Sequence, residues 1–169
     1  MEKRAQVWVE TAIYTLIALA IIGMVLTFAR PKIQEIQDKS IIDQTLDVLR
    51  ALDEQIFSVA QGGAGNKRVM ELELKKGEIE INSDDNKIIF TFEKSKSKYS
   101  EVDEDVEFGD IFIRTEKTGD SYTVQLTLDY GEEGYNLVYE GGSKLTKSST
   151  PYKLSITNDG GSTIIIDLL

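Results

Sequence analysis

The stretch "IDQTLDVLRALDEQIFSVAQGGAGNKRVMELELK", residues 42–75, changes its period in the middle. Before the glycines, Ile42, Leu46, Leu49, Leu52 and Ile56 return at mostly three- and four-residue spacing, and Ile33 and Ile36 extend the row backwards. That spacing gathers apolar side chains on one face of a helix, a stripe that needs a partner. Asp38, Asp43, Asp47, Arg50 and Glu54 fill much of the remaining circumference. After the glycines the pattern alternates. Val69, Glu71 and Glu73 fall on one side, and Met70, Leu72 and Leu74 on the other, as on a strand with one wet face. "QGGAGN", residues 61–66, is the stop between the two regimes, with Gly62 expected in the left-handed position that ends the helix. The order is helix first and sheet after, an α+β chain.

Upstream, no residue from Thr11 to Ala29 is charged. As a helix this segment is about 28 Å long, close to the thickness of a bilayer's hydrocarbon. A buried core helix seldom runs so far without a charge. A cleaved secretory signal expects a shorter apolar region and a small-residue cut site, which "FARPK" does not offer. Residues 11–29 therefore read as a transmembrane segment retained in the mature chain. Pro31 removes one helical hydrogen bond. The stripe beyond it favours a kink and continuation over a break at Arg30-Pro31, and either gives the same topology. The expected helix covers residues 6–61 and is about 84 Å long, with 32–61 amphipathic. Lys3 and Arg4 favour a cytoplasmic amino terminus by the positive-inside rule. Arg30, Lys32 and Lys39 on the far side weaken that vote. The β-rich remainder, residues 67–169, is then extracytoplasmic, joined by the Gly-rich linker 62–66.

Downstream, "GEIEIN", "KIIFTFEK", "VEFGDIFIRTEK", "SYTVQLTLDY", "YNLVYE", "YKLSITN" and "STIIIDLL" read as strands. With the first, they give an antiparallel β-sandwich or barrel-like domain of about 7–8 strands. "KTGD" and "DGG" mark hairpins. "SKSKYSEVDED" and "GGSKLTKSST" read as polar loops, the first mobile by composition. "IIIDLL" suggests a central strand covered on both faces and packed on the helix.

Composition excludes much chemistry. Cysteine and histidine are both absent, which removes thiolate ligands and nucleophiles and the commonest general base. The net charge is −10, from 29 acidic and 19 basic residues, a balance that repels nucleic acid. Asp103, Asp105, Glu107 and Asp110 could offer oxygens to calcium, but Gly109 falls in the wrong place for an EF-hand and a solvated acidic loop is the plainer reading. "GGAG" at 62–65 lacks the lysine-serine pair of a phosphate loop. Tyr122, Tyr130, Tyr135, Tyr139 and Tyr152 suit cross-strand packing better than a glycan platform. No catalytic residue, cofactor or metal is expected.

Residues 1–31 carry a resemblance. Lys3-Arg4-Ala5, then Gln6, then Glu10, then an uncharged helix of membrane length resembles the class III signal of archaeal type IV pilin-like proteins. The resemblance implies a cut between Ala5 and Gln6 by a prepilin peptidase, loss of residues 1–5 as a leader, and Glu10 as the fifth mature residue. It implies assembly of a homo-oligomeric surface filament through the amino-terminal helix, after storage in membrane lipid. A membrane platform protein and an assembly ATPase are the other implied partners, and nucleic acid is not one. Trp8 stands where the family often has serine. Intramembrane carboxylates are costly and usually paired, and Glu10 is expected to meet the new terminal amine of a neighbouring subunit. Two rivals remain: a membrane-anchored β-domain that binds a surface ligand without polymerising, and an anchored hydrolase using Asp103 and Asp105.

Overall fold

The computed structural model describes residues 2–169 apart from Glu132 and Ser143, with side chains from Val7 onward. One helix, α1 (Glu2–Gln61), precedes ten strands: β1 (Lys67–Leu72), β2 (Glu78–Asn82), β3 (Lys87–Ser95), β4 (Asp105–Phe108), β5 (Ile111–Thr118), β6 (Ser121–Asp129), β7 (Asn136–Tyr139), β8 (Leu145–Thr146), β9 (Tyr152–Gly160) and β10 (Thr163–Leu168).

The helix continues through Pro31. Thr11, Thr15 and Thr27 donate their hydroxyls to the carbonyls of Val7, Thr11 and Gly23 at 2.8–2.9 Å, so the polar groups of this apolar stretch are satisfied within it. At the other end the Gly62 N–H donates to the Ser58 and Val59 carbonyls, both at 3.2 Å. The left-handed residue is Gly63, at φ +80°, one place later than expected. Gly62 has a different role: a Cβ there would push aside the Asn66 side chain, whose amide donates to the Ser58 carbonyl at 3.4 Å.

The strands form a four-stranded sheet, β1-β9-β10-β7, and a six-stranded sheet, β4-β5-β6-β3-β2-β8. Together they make a sandwich-like domain in which every named pair is antiparallel except β7 with β10. The expectation of about 7–8 strands falls short of the ten observed, for two reasons. Gly109 at φ +66° turns the chain inside "VEFGDIFIRTEK", so Phe108 comes to lie opposite Ile111 and one apparent strand becomes two. Among the described residues of the polar run 141–150, Leu145 alone is buried, and it pairs with Ile79 to form the two-residue β8. A single apolar residue carries no period to read.

The hairpins around "KTGD" and "DGG" are present. β10 is central in its sheet, but only Ile164 and Ile166 are buried while Ile165 is half-exposed, so one face is covered and not two. The helix packs against strands of both sheets. Ile42, Leu49, Leu52 and Ile56 are fully buried there, and each contributes about 1.5–3 kcal/mol of apolar burial. Ile33 and Ile36 do not join them: they stay 52% and 68% exposed, because the domain covers the helix only from Asp38 onward.

Candidate functional site

The first half of α1 leaves its apolar side chains uncovered all round. Trp8, Leu16, Met24 and Phe28 are 66–78% exposed, and the other large apolar residues from Val7 to Leu26 are about half exposed or more. The helix is long and apolar enough to cross a membrane. Contiguous apolar surface on this scale marks a membrane or protein contact. Glu10 lies in this surface and accepts a hydrogen bond from the Tyr14 hydroxyl at 3.1 Å. Tyr14 suits a membrane interface by its type, and its i+4 spacing from Glu10 is readable in the sequence. Lys3, Arg4, Ala5 and Gln6 belong to the helical backbone, and their side chains lie outside the described residues.

The second half of the helix is held by polar contacts that the periodicity did not reveal. Asp38, assigned above to the polar face, is 5% exposed. Its carboxylate accepts from Lys76 Nζ at 3.0 Å and from the Lys96 backbone N–H at 2.9 Å. Asp43 accepts from the Tyr99 hydroxyl at 2.7 Å, and Asp53 from the Tyr130 hydroxyl at 2.8 Å. Asn158 Nδ2 donates to the carbonyls of Val59 and Ala60, in the last turn, where the helix runs out of its own N–H donors. Of the stretch 95–105, read as a mobile loop, residues 95–102 are instead tied down. Ser95 and Ser97 are buried and bond to each other, and Val102 bridges to Thr115. These contacts fix the domain on the helix, so the bare half projects from a firm base.

Electrostatics are sharpest around Tyr130. Burial, then the charge and hydrogen bond of Asp53, push its phenol far above the ordinary tyrosine value. Burial raises the Asp53 carboxyl, the Tyr130 bond opposes that, and Asp110 and Glu54 add to the rise. The carboxyl of Glu133, an exposed residue, is raised by partial desolvation and by the charges of Asp53, Asp110 and Asp129. Asp53 and Glu133 thus bind protons more tightly folded than unfolded. The resulting penalty is fully present above their raised folded values and vanishes below the unfolded carboxylate range. These two groups are expected to add thermal stability as pH falls through their raised folded values toward the unfolded carboxylate range. Glu133→Gln should raise the melting temperature at pH 7 and shrink that gain. An unchanged gain in the variant, measured by calorimetry, would reject this assignment.

The other candidates disperse. Asp105 is paired with Arg114 at 3.1 Å, and among the described residues no group of three acidic side chains is placed to hold a metal. In the glycine stretch the Gly65 N–H is spent on the Asn158 carbonyl at 2.7 Å. Tyr122 lies near one end of β6 and Tyr130 just past the other, about 26 Å apart at strand rise, so they do not share a platform. Compared with known proteins, the chain matches no family model, no curated protein and no solved structure.

Proposed function

We propose that this chain is the structural subunit of a type IV pilus-like surface filament of the archaeal kind, stored in the membrane and assembled through α1. The observation that carries the reading is the division of one helix. Its lower half is clamped in the β-domain by Asp38, Asp43, Asp53 and Asn158, and its upper half presents apolar side chains in every direction. Lipid covers such a surface before assembly, and like helices cover it afterwards. The change of environment draws on close packing more than on hydrophobicity, since lipid is as apolar as the helix. Gly23, where an added Cβ meets nothing within 4 Å, leaves room for close approach. The β-domain then forms the outer face of the filament.

The resemblance in residues 1–31 supplies the processing step. Cleavage after Ala5 creates a terminal amine on Gln6, and Glu10 of a neighbouring subunit is its counter-charge. The pairing offsets the desolvation of both groups and sets the axial register of the helices. Mass spectrometry of the mature protein tests this reading. It is expected to find Gln6 at the amino terminus. An intact Met1, or a cut near Ala29, overturns it.

A further inference from the structure

The cations of the β-domain are not spread evenly over this acidic chain. β3 and β6 run antiparallel through the height of the larger sheet, with Lys87 opposite Asp129 at one end and Ser95 opposite Tyr122 at the other. Helix α1 runs in a known sense along them. Asp38 is held at the Ser95 end, by Lys76 and the Lys96 N–H, and Asp53 at the Asp129 end, by Tyr130. The Ser95 end therefore faces the apolar half of the helix, and the Asp129 end faces away from it.

At the Ser95 end stand Lys75, Lys76, Lys94, Lys96, Lys117 and Lys147. Lys94 and Lys147 line one cleft with Lys76, Lys75 reaches Gln44 at 2.7 Å, and Lys117 lies opposite Tyr122. All but Lys76 lack a carboxylate within ion-pair distance among the described residues, and all are exposed. Arg30 and Lys39 continue the basic surface up the helix toward Ala29, and Lys32 between them is paired with Glu35 at 2.6 Å. Glu73, Glu93 and Asp120 stand among these six cations and Asp38 is held by Lys76, so this end keeps a small excess of positive charge, and Glu78 is held by Lys144 at 2.8 Å. The opposite end is acidic: Asp53, Asp110, Asp129 and Glu133 gather around Tyr130, near Asp84 and Asp85. Of the cations there, Lys87 is paired to Asp129 at 3.0 Å, and Arg50 lies in the cleft with Asp53 and Asp110, over the Phe108 ring.

We propose that the basic end is a docking face for an anionic lipid surface, which seats the domain upright on the bilayer before assembly. Asp38 lies nine residues beyond Ala29, about 14 Å along the helix. The headgroup layer occupies roughly the first 5–7 Å of that distance. Lysine stems reach across most of what remains, within the screening length of about 8 Å at physiological salt. A basic surface at that depth is attracted to anionic headgroups. The same arrangement accounts for Arg30, Lys32 and Lys39, which the positive-inside rule leaves on the wrong side of the span. The inference rests on the membrane-anchored part of the reading above and needs no filament.

The chain has no cysteine, so single labels are simple to place. The full chain, carrying Thr146→Cys at the basic end or Asp84→Cys at the acidic end, is reconstituted into nanodiscs of phosphatidylcholine alone or with about 30% phosphatidylglycerol. Energy transfer from the label to a headgroup dye reports the height of each end. Transfer from position 146 is expected to rise in the anionic discs, and position 84 is expected to stay distant. The rise should disappear near 1 M salt, where the screening length is about 3 Å, and in a Lys75/Lys94/Lys96/Lys147→Glu variant. A Lys94→Glu, Lys147→Glu double variant should lose part of it and guards against misfolding of the fourfold one. Equal transfer in both lipids, or an undiminished rise in the variants, overturns the proposal. Extraction of the chain from the bilayer by carbonate would overturn the anchored reading as well, so the two failures are separable.

Discussion

Replacing Glu10 with alanine is expected to leave the chain inserted in the membrane and to abolish or misorder its filaments. The carboxylate sits at the entrance of an otherwise uncharged span, where a charge without a partner is costly. In the single chain its one described partner is the Tyr14 hydroxyl at 3.1 Å, which leaves most of its hydrogen-bonding capacity open. The amine created at Gln6 of a neighbour would complete it. Alanine removes a cost of insertion, so membrane residence should not suffer. Glu10→Gln keeps the volume and an acceptor for Tyr14 but not the charge, and it should fail almost as completely. Tyr14→Phe should be milder, because it removes one hydrogen bond to the carboxylate, worth about 1.5–3 kcal/mol, and leaves the charge that the neighbouring amine would meet. Carbonate extraction reads insertion, and electron microscopy of sheared cells reads filaments. Normal filaments from Glu10→Ala would remove Glu10 from its assigned role.

The second large effect is on stability. Leu49 is fully buried between the helix and the sheets, and Leu49→Ala is expected to destabilise the β-domain by about 2–5 kcal/mol. Ile36, on the same stripe but 68% exposed, should change stability by less than about 0.5 kcal/mol on truncation to alanine. Its loss should appear in assembly instead, since it belongs to the bare half of the helix. Denaturant unfolding of the two full-length variants in detergent separates these outcomes. Equal destabilisation by both would mean that the domain grips the helix above Asp38.

The contrast between Leu49 and Ile36 also shows how far the sequence could be read. Periodicity placed both on one face, and that face is real. Period cannot say how much of it the following domain is long enough to cover. The same limit explains Asp38. A carboxylate on a helix reads as a solvated one, and only the arrival of Lys76 and the Lys96 N–H, 38 and 58 residues away, makes burial favourable. The hairpins were legible because Gly119, Gly160 and Gly161 carry their turns locally, at positive φ. β8 was not, since its existence depends on Ile79 lying opposite Leu145. Of the proposed assembly site, Glu10 and the uncharged span were plain in the residue order. The Glu10–Tyr14 pair, four residues apart on one helix, is legible in the residue order as well. The clamp and the two charged ends of the domain required the topology, because they join residues from strands far apart in the chain.

The most direct test of the central claim is electron microscopy of filaments sheared from the cell surface, with peptide identification and a reconstruction at side-chain detail. The expected result is a filament containing this chain, with residues 7–36 packed as a central bundle and the β-domains outside. Glu10 should lie within hydrogen-bonding distance of the Gln6 amine of an adjacent subunit. A chain found only as a single membrane-anchored protein, or filaments in which the helices stay apart and Glu10 faces no neighbour, would contradict it.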